Sequence, residues 1–344
     1  MPYDFYSEFD SPATIEAIAE ALRSGGHRVH LVEATPQLPK WFLHHHVDLV
    51  FNIAEGDAGP HREAQVPAIL ESLGIPFTGS NSLILALAMD KAKTKHLLAY
   101  EGVPTPAWQL FLRPDAPLSP HLKFPLIVKP NREGSAKGIL RESVVGDEAL
   151  LREQIRRISE RYHQEVLVEE FIEGAELTVG VLGNEPARAL PILEIDFAPC
   201  RKSGEFFYSW RMKEYQGQEE LGLNPSFHCP ARLSAELAQR VQAVTLKAHQ
   251  ALGCWDLSRT DIRLRADGTP FVLEVNPLPG MDPLESNFPI MSAAAGISYP
   301  AFINHLVDLA VARSKGACAR EPSGIPPAEN GNRAGQLAES RTAP

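Results

Sequence analysis

Cysteine is scarce: there are four in 344 residues (Cys200, Cys229, Cys254 and Cys318), far apart and without zinc spacing or a disulfide framework. Long apolar runs are missing too. The longest unbroken one, Leu83 to Met89, falls far short of the ~20 residues that span a bilayer. No basic leader followed by an apolar stretch opens the sequence, so a protein of the reducing cytoplasm with no membrane partner is expected. Nor is there a basic excess. Lys and Arg number 33 against 43 Asp and Glu, a net charge of −10 that argues against a general nucleic-acid binder. What is present is an ordinary globular mixture, 44% apolar and 22% charged, long enough for two or three compact units.

Ser11-Pro12 before Ile15, Ile18, Ala19 and Leu22 reads as a capped amphipathic helix ended by Gly25-Gly26. Val29–Val32, the run from Asp48 to Ile53, and Ile75–Thr78 read as strands, and 62–73 as a helix between them. That alternation implies a parallel α/β unit over residues 1–86. A lysine-bearing helix from 91 is followed by the strand 124–129, a glycine loop at 132–138, a helix at 147–161 and a strand at 165–172. These make an α+β unit over 87–173. A second α+β unit covers 174–313, with strands at 177–182 and 190–197, a polar aromatic stretch at 202–221, a helix at 235–252, a hairpin, and a last helix to about Ala312. Residues 314–344 hold four Pro, four Gly, no aromatics and two large aliphatics, so they read as a disordered tail.

The hairpin Arg259–Asn276 is the most informative segment. With Asp267-Gly268 as a two-residue turn, Asp261 falls opposite Glu274, and Arg259 opposite Asn276. Directly opposed carboxylates, with Cβ atoms ~4.5–5.5 Å apart, repel unless a proton, an arginine or a metal intervenes. Asp261, Glu274 and Asn276 are thus either a magnesium face or a solvated ribbon neutralised by Arg259 and Arg263. Upstream, Lys129 at a strand end precedes Arg132–Gly138, a loop whose main-chain N–H groups suit phosphate oxygens. Val166 to Glu176 suits a base- and ribose-contacting edge.

Seven segments carry a resemblance: DLVFNIAEG, PFTGS, MDKAKTK, FPLIVKPNREGSAKGI, VLVEEFIEGAELTVGVLG, SRTDIRL and FVLEVNPLPGM. In this order and spacing the chain resembles the ATP-grasp enzymes, and among them the D-alanine–D-alanine ligase family, from about residue 5 to 309. The resemblance implies an N-terminal parallel α/β domain plus two α+β subdomains clasping ATP. It implies ATP as co-substrate, two magnesium ions (manganese as a substitute) and a homodimer. Lys91 and Lys129 match phosphate ligands, and Ser135 sits in the loop that closes over them. Glu169, Glu170, Phe171 and Ile172 match the adenine hinge, and Glu176 the ribose acid. Asp261, Glu274 and Asn276 match the metal ligands. Arg259 matches the arginine that stabilises the acyl phosphate, and Lys213 a lysine of the lid. Glu8 stands near the acid that grips the first substrate's ammonium. Gly280, Glu285 and Ser286 fall at the second substrate's carboxylate.

The departures bear on substrate identity. The lid lysine is followed by Glu214, with Tyr215 one place later, where the family has tyrosine directly. Glu285 occupies the place of a serine, with Ser286 adjacent. The implied activity is ATP-dependent dipeptide formation through an acyl phosphate, by default D-alanyl-D-alanine for peptidoglycan. The alternatives are the same chemistry on another amino acid or hydroxy acid, and an ATP-binding regulatory protein without turnover.

Overall fold

Ser11 opens the first helix by accepting a hydrogen bond from the Thr14 N–H, with Pro12 where its missing N–H is harmless. That helix, α1 (Pro12–Ser24), ends at Gly25. The structure, a computed structural model, describes residues 4, 7–56, 58–215 and 218–318. The parallel pairing expected of the N-terminal region is reduced to one bridge, Val50 to Phe77. In it the Val50 N–H bonds Pro76 O, and the Thr78 N–H bonds Val50 O. Val29–Val32, read as a strand, has no ladder, and Leu31 is 57% exposed. With neither a paired edge nor a buried face, the run gains nothing from regular extension. α2 (Leu38–Phe42), α3 (Gln65–Leu73) and α4 (Ser82–Met89) complete this part, with Leu38, Val66, Leu70 and Phe77 as its small core.

α5 (Lys91–Tyr100) begins at Asp90, whose carboxylate accepts from the Lys93 N–H. Next come β1 (Trp108–Phe111), β2 (Leu126–Pro130), β3 (Val144–Val145), α6 (Glu148–Tyr162) and β4 (Val166–Glu170). The strands form an antiparallel sheet in the order β1-β4-β2-β3. Leu151, Ile155 and Ile158, spaced for one helix face, seat α6 in the same core as Leu126, Val128 and Val168.

The second sheet holds β5 (Ala175–Leu182), β6 (Arg188–Ala189), β7 (Leu193–Asp196), β8 (Ser226–His228), β9 (Leu257–Leu264) and β10 (Pro270–Asn276). Its order is β10-β9-β5-β7-β8, with β6 on β5. α7 (Trp210–Glu214) lies in the long connection between β7 and β8, and α8 (Ala235–Leu252), α9 (Asn287–Ala294) and α10 (Tyr299–Cys318) follow. Period-two alternation sorts the apolar side chains onto two faces. Leu177 and Val179 of β5 join Val241, Ala248 and Leu252 of α8, while Leu182 joins α1, α9 and α10. α10 runs past the expected end near Ala312, so 314–318 are helical rather than part of a tail. The rest of that stretch, 319–344, lies outside the described residues. Asp256, fully buried at φ +61°, ties three regions together: its carboxylate accepts from the Gly79 N–H, Asn184 and Arg313.

The hairpin reaches its expected pairing by a different route. Three residues, 266–268, close it in place of two. The Arg265 N–H bonds Thr269 O, and Gly268 takes the left-handed φ of +81°. Alone, this tip would put every pair out by one, and Phe271 does oppose Arg263, as Val272 opposes Ile262. A β-bulge between Val272 and Glu274 then restores the register, so that Glu274 opposes Asp261 and Asn276 opposes Arg259.

α8 is fastened beside this hairpin by His249, whose Nδ1 lies 2.8 Å from Ser258 Oγ. Burial lowers the imidazole to about 4. The unfolded chain takes up that proton near pH 6.5 and the folded chain only near pH 4. This contribution is therefore complete above pH 6.5 and is lost as pH falls toward 4, roughly 3 kcal/mol in all. Replacing His249 by Gln is expected to flatten the unfolding free energy over that window, measured by urea titration at each pH. An unchanged slope contradicts the assignment.

Candidate functional site

The β9–β10 pairing puts Asp261 and Glu274 on one face, with Arg259 beside them. The Arg259 Nε and Nη2 reach the Asp261 carboxylate at 3.1 and 2.8 Å, and Nη2 lies 3.7 Å from Glu274 Oε1. Thr178, from the neighbouring strand β5, donates its hydroxyl to Asp261. Lys91, at the first turn of α5, approaches Glu274 Oε2 at 3.2 Å and donates to Glu133 O. Burial opposes ionisation of Glu274, but Lys91, Arg259 and Lys129 outweigh it and bring the carboxyl down to about 2. Asp261 moves the other way, raised by burial and by the Glu274 charge despite Arg259. The pair is therefore shared between cations of two elements rather than neutralised by both flanking arginines. Arg263 turns instead to Glu176, at 3.4 Å, and to the Phe171 ring, 4.9 Å from its centroid.

An oxygen-only set of two opposed carboxylates and an amide is what hard divalent cations take, with the shell completed by phosphate or water. Among the described residues no group of three or more His, Cys, Asp or Glu is placed to hold a metal. Asp261, Glu274 and Asn276 offer oxygen donors of that kind and leave most of a cation's shell to other ligands. Asn276 also uses its amide oxygen to accept from the Leu278 N–H, which fixes its orientation.

Lys129, at the end of β2, and Glu169, on β4, form a 2.8 Å ion pair in which Glu169 is almost wholly buried. The expected hinge is built largely from main chain: the Glu170 and Phe171 N–H groups bond Ala107 O and Pro125 O. Ile172 is buried, and Phe171 packs edge-on against Phe206 and Phe207. Glu176 accepts from the Tyr208 N–H, and burial raises its carboxyl. It opens on a cavity of about 360 Å³ shared with Gly174 and Phe206.

In the glycine loop both Ser135 and Ala136 are left-handed, at φ 51° and 56°, a costly conformation outside glycine. The Lys213 Nζ donates to Ser135 Oγ at 2.7 Å, which latches α7 onto the loop. Glu8 joins the same neighbourhood in an unexpected role. Its carboxylate accepts from Arg62 at 2.7 Å, from Lys137 at 2.9 Å and from the Gly134 N–H at 2.8 Å. So engaged, it buttresses the loop and has little capacity left for an incoming ammonium. Glu285 is exposed and its N–H bonds Asp282. Ser286 Oγ accepts from the Asp282 N–H and lies where a Cβ on Gly280 would meet it at 2.9 Å. Tyr215 packs on Trp210.

The sequence reading missed three kinds of residue. Lys95 sits one helical turn after Lys91 and pairs with Glu169 at 2.9 Å; the spacing within MDKAKTK could have flagged it. Thr178, two places along the strand from Glu176, shares its face. Glu55 and Glu63 had no such signal. They flank a close backbone approach, in which a Cβ on Gly56 would stand 2.7 Å from Arg62 O. Glu55 faces Glu63, Glu8 and Asp10, and burial together with these acids pushes it well above the usual carboxylate range. Glu63 rises to about 7 through burial, opposed by Arg62 and Lys91.

A family model described as D-ala D-ala ligase C-terminus matches residues 97–308. The D-alanine--D-alanine ligase of Desulforudis audaxviator is 35% identical over 301 residues, covering 86% of this chain and 92% of its own. Uncharacterized protein y4sG of Sinorhizobium fredii is 33% identical over 303 residues, 86% of each chain. Among solved structures, a D-alanine--D-alanine ligase from Bacillus anthracis superposes with a TM-score of 0.72 at 28% identity, covering 89% of this chain and 93% of that one. The VanG D-Ala:D-Ser ligase of Enterococcus faecalis gives 0.61 at 29% identity, over 77% and 73%. The matched region exceeds half of the sequence and carries the acid pair and both antiparallel sheets, and the chain belongs to the D-alanine–D-alanine ligase family of ATP-grasp proteins.

Proposed function

We propose that the chain is an ATP-dependent carboxylate–amine ligase that forms a dipeptide through an acyl phosphate, with D-alanine as the default substrate. The observation that carries this reading is the convergence of Lys91, Lys129 and Arg259 on the Asp261–Glu274 pair. ATP would lie between units 87–173 and 174–313. Lys91 and Lys129 would neutralise its phosphates, so that a substrate carboxylate can attack the terminal one. Magnesium held by Asp261, Glu274 and Asn276 would add Lewis-acid charge at the same phosphates. Arg259 stabilises the negative charge that develops when the second substrate's amine attacks the acyl phosphate and phosphate leaves. Closure of the loop by the Lys213–Ser135 contact excludes water, which would otherwise hydrolyse that intermediate.

A second reading keeps this chemistry with a different amino acid. It is favoured by the occupied state of Glu8 and by Glu55 and Glu63, for which no ion pair forms among the described residues. Glu55 lies within electrostatic reach of Lys213, and Glu63 within reach of Lys91 and Glu274. An amino group entering here would meet those two acids.

Phosphate release from ATP and Mg²⁺, screened over D- and L-amino acids and hydroxy acids, tests the activity and separates the two readings. Absence of stimulation by every candidate would overturn both. Glu274→Gln is expected to reduce kcat on the order of 100-fold while the melting temperature moves by only a few degrees, since it removes charge rather than packing. Near-normal turnover contradicts the metal face. Glu55→Gln should raise KM for the amino acid roughly 10–100-fold, the loss of one charge-assisted hydrogen bond, with KM for ATP little changed. An unaltered amino-acid KM removes Glu55 from the substrate site.

A further inference from the structure

Lys95 is among the largest side chains with essentially no solvent exposure in the described residues, and it is ionisable. Such a group is costly to bury unless it does something specific. Its Nζ stands 2.9 Å from Glu169 Oε1, while Lys129 takes the other oxygen, Oε2, at 2.8 Å. The remaining contact of Lys95 is a 2.7 Å hydrogen bond to Thr105 Oγ1, which in turn donates to Val272 O, next to the bulge that sets the acid pair. Of the three groups, Lys95 and Glu169 are sealed from solvent, whereas Lys129 keeps a small exposure; both lysines act on Glu274 electrostatically, and Lys129 is among the cations that bring its carboxyl down.

We infer that Lys95 is a positioning residue for the reaction: it neutralises Glu169 from behind, so that Lys129 keeps an uncompensated positive charge for the phosphates. The inference rests on the proposed phosphate role of Lys129. Two lysines and one glutamate leave a single positive charge, and geometry delivers it at the groove. Without Lys95, Glu169 would hold Lys129 alone, and the pair would present no net charge to an anion. The ionic states support this. Burial and the Lys129 charge bring Lys95 down to about 8, still protonated at neutral pH. Glu169 stays ionised below its usual range because both lysines overcome its burial.

Calorimetric titration with the non-hydrolysable analogue AMP-PNP and Mg²⁺ at pH 7 tests it on the full chain. Lys95→Met is expected to weaken binding about tenfold or more, as Lys129→Met does, with thermal unfolding checked in parallel. The decisive variant is Lys95→Met with Glu169→Gln. It leaves Lys129 with one unopposed positive charge and is read against Glu169→Gln alone, so that any adenine contact of Glu169 cancels; Lys95→Met should cost at least about fivefold less in the Glu169→Gln background than in the wild type. A merely structural lysine predicts that its loss persists in that background. Binding by Lys95→Met at the wild-type level, or an equal loss in both backgrounds, overturns the inference while the ligase reading stands. Wild-type protein that does not bind the analogue, or Lys129→Met that binds it unimpaired, overturns the phosphate role of Lys129 and this inference with it.

Discussion

Like charges set face to face across a β-ribbon are a standing electrostatic cost, and much of this molecule is arranged to offset it. Asp261 and Glu274 are held together by Arg259 from their own hairpin and by Lys91 from a helix in another part of the chain. Drawing on cations from two directions makes the pair a junction. The first turn of α5, the glycine loop through Glu133 and the sheet strand β10 cannot move far apart without exposing an unbalanced carboxylate. In the proposed function the same acids and lysines would take up an anion that brings its own cation. Stability and chemistry thus draw on one set of charges.

The buried lysines extend this arrangement inward. Lys91, Lys95 and Lys129 come from one helix and one strand, and all three answer to carboxylates on strands, Glu274 and Glu169. Arg62, Lys137, Glu8 and Glu133 form a second such group beneath the glycine loop, which holds Ser135 and Ala136 in a backbone conformation they would not adopt alone. The loop is therefore braced from below by ion pairs and latched from above by Lys213. The loop proposed to cover the phosphates is thus shaped by contacts on both of its sides.

Much of this was legible in the sequence where a local rule and a global need coincide. The cap at Ser11, the period of α6 and the alternation of β5 announce elements that the structure contains, and the facing of Asp261 and Glu274, counted from a two-residue turn, holds because a bulge offsets the longer tip. Val29–Val32 failed because strand propensity cannot supply a neighbour; among the described residues of 1–86, Val50 and Phe77 found one in each other. Lys95 and Thr178 could have been inferred from their spacing. Glu55 and Glu63 could not, because what sets them apart is burial among other acids with no ion pair formed among the described residues, a property of the folded surroundings and of no motif. Glu8 was placed near the glycine loop, where the structure gives it Arg62 and Lys137 as partners. Which acid meets a substrate depends on where Arg62 and Lys137 come to rest, some fifty and more than a hundred residues along the chain.

The hairpin's two irregularities have a bearing on how such proteins can diverge. A three-residue tip and a bulge at Leu273 each displace the strands by one position, in opposite senses, and only together do they leave the acids facing. The two are matched at constant length. Were the bulge ironed out with the tip unchanged, Leu273 would come to oppose Asp261 and Glu274 would turn to the face of Val272, in the apolar layer with α8. The bulge is therefore what lets a three-residue tip and a facing acid pair coexist in one ribbon.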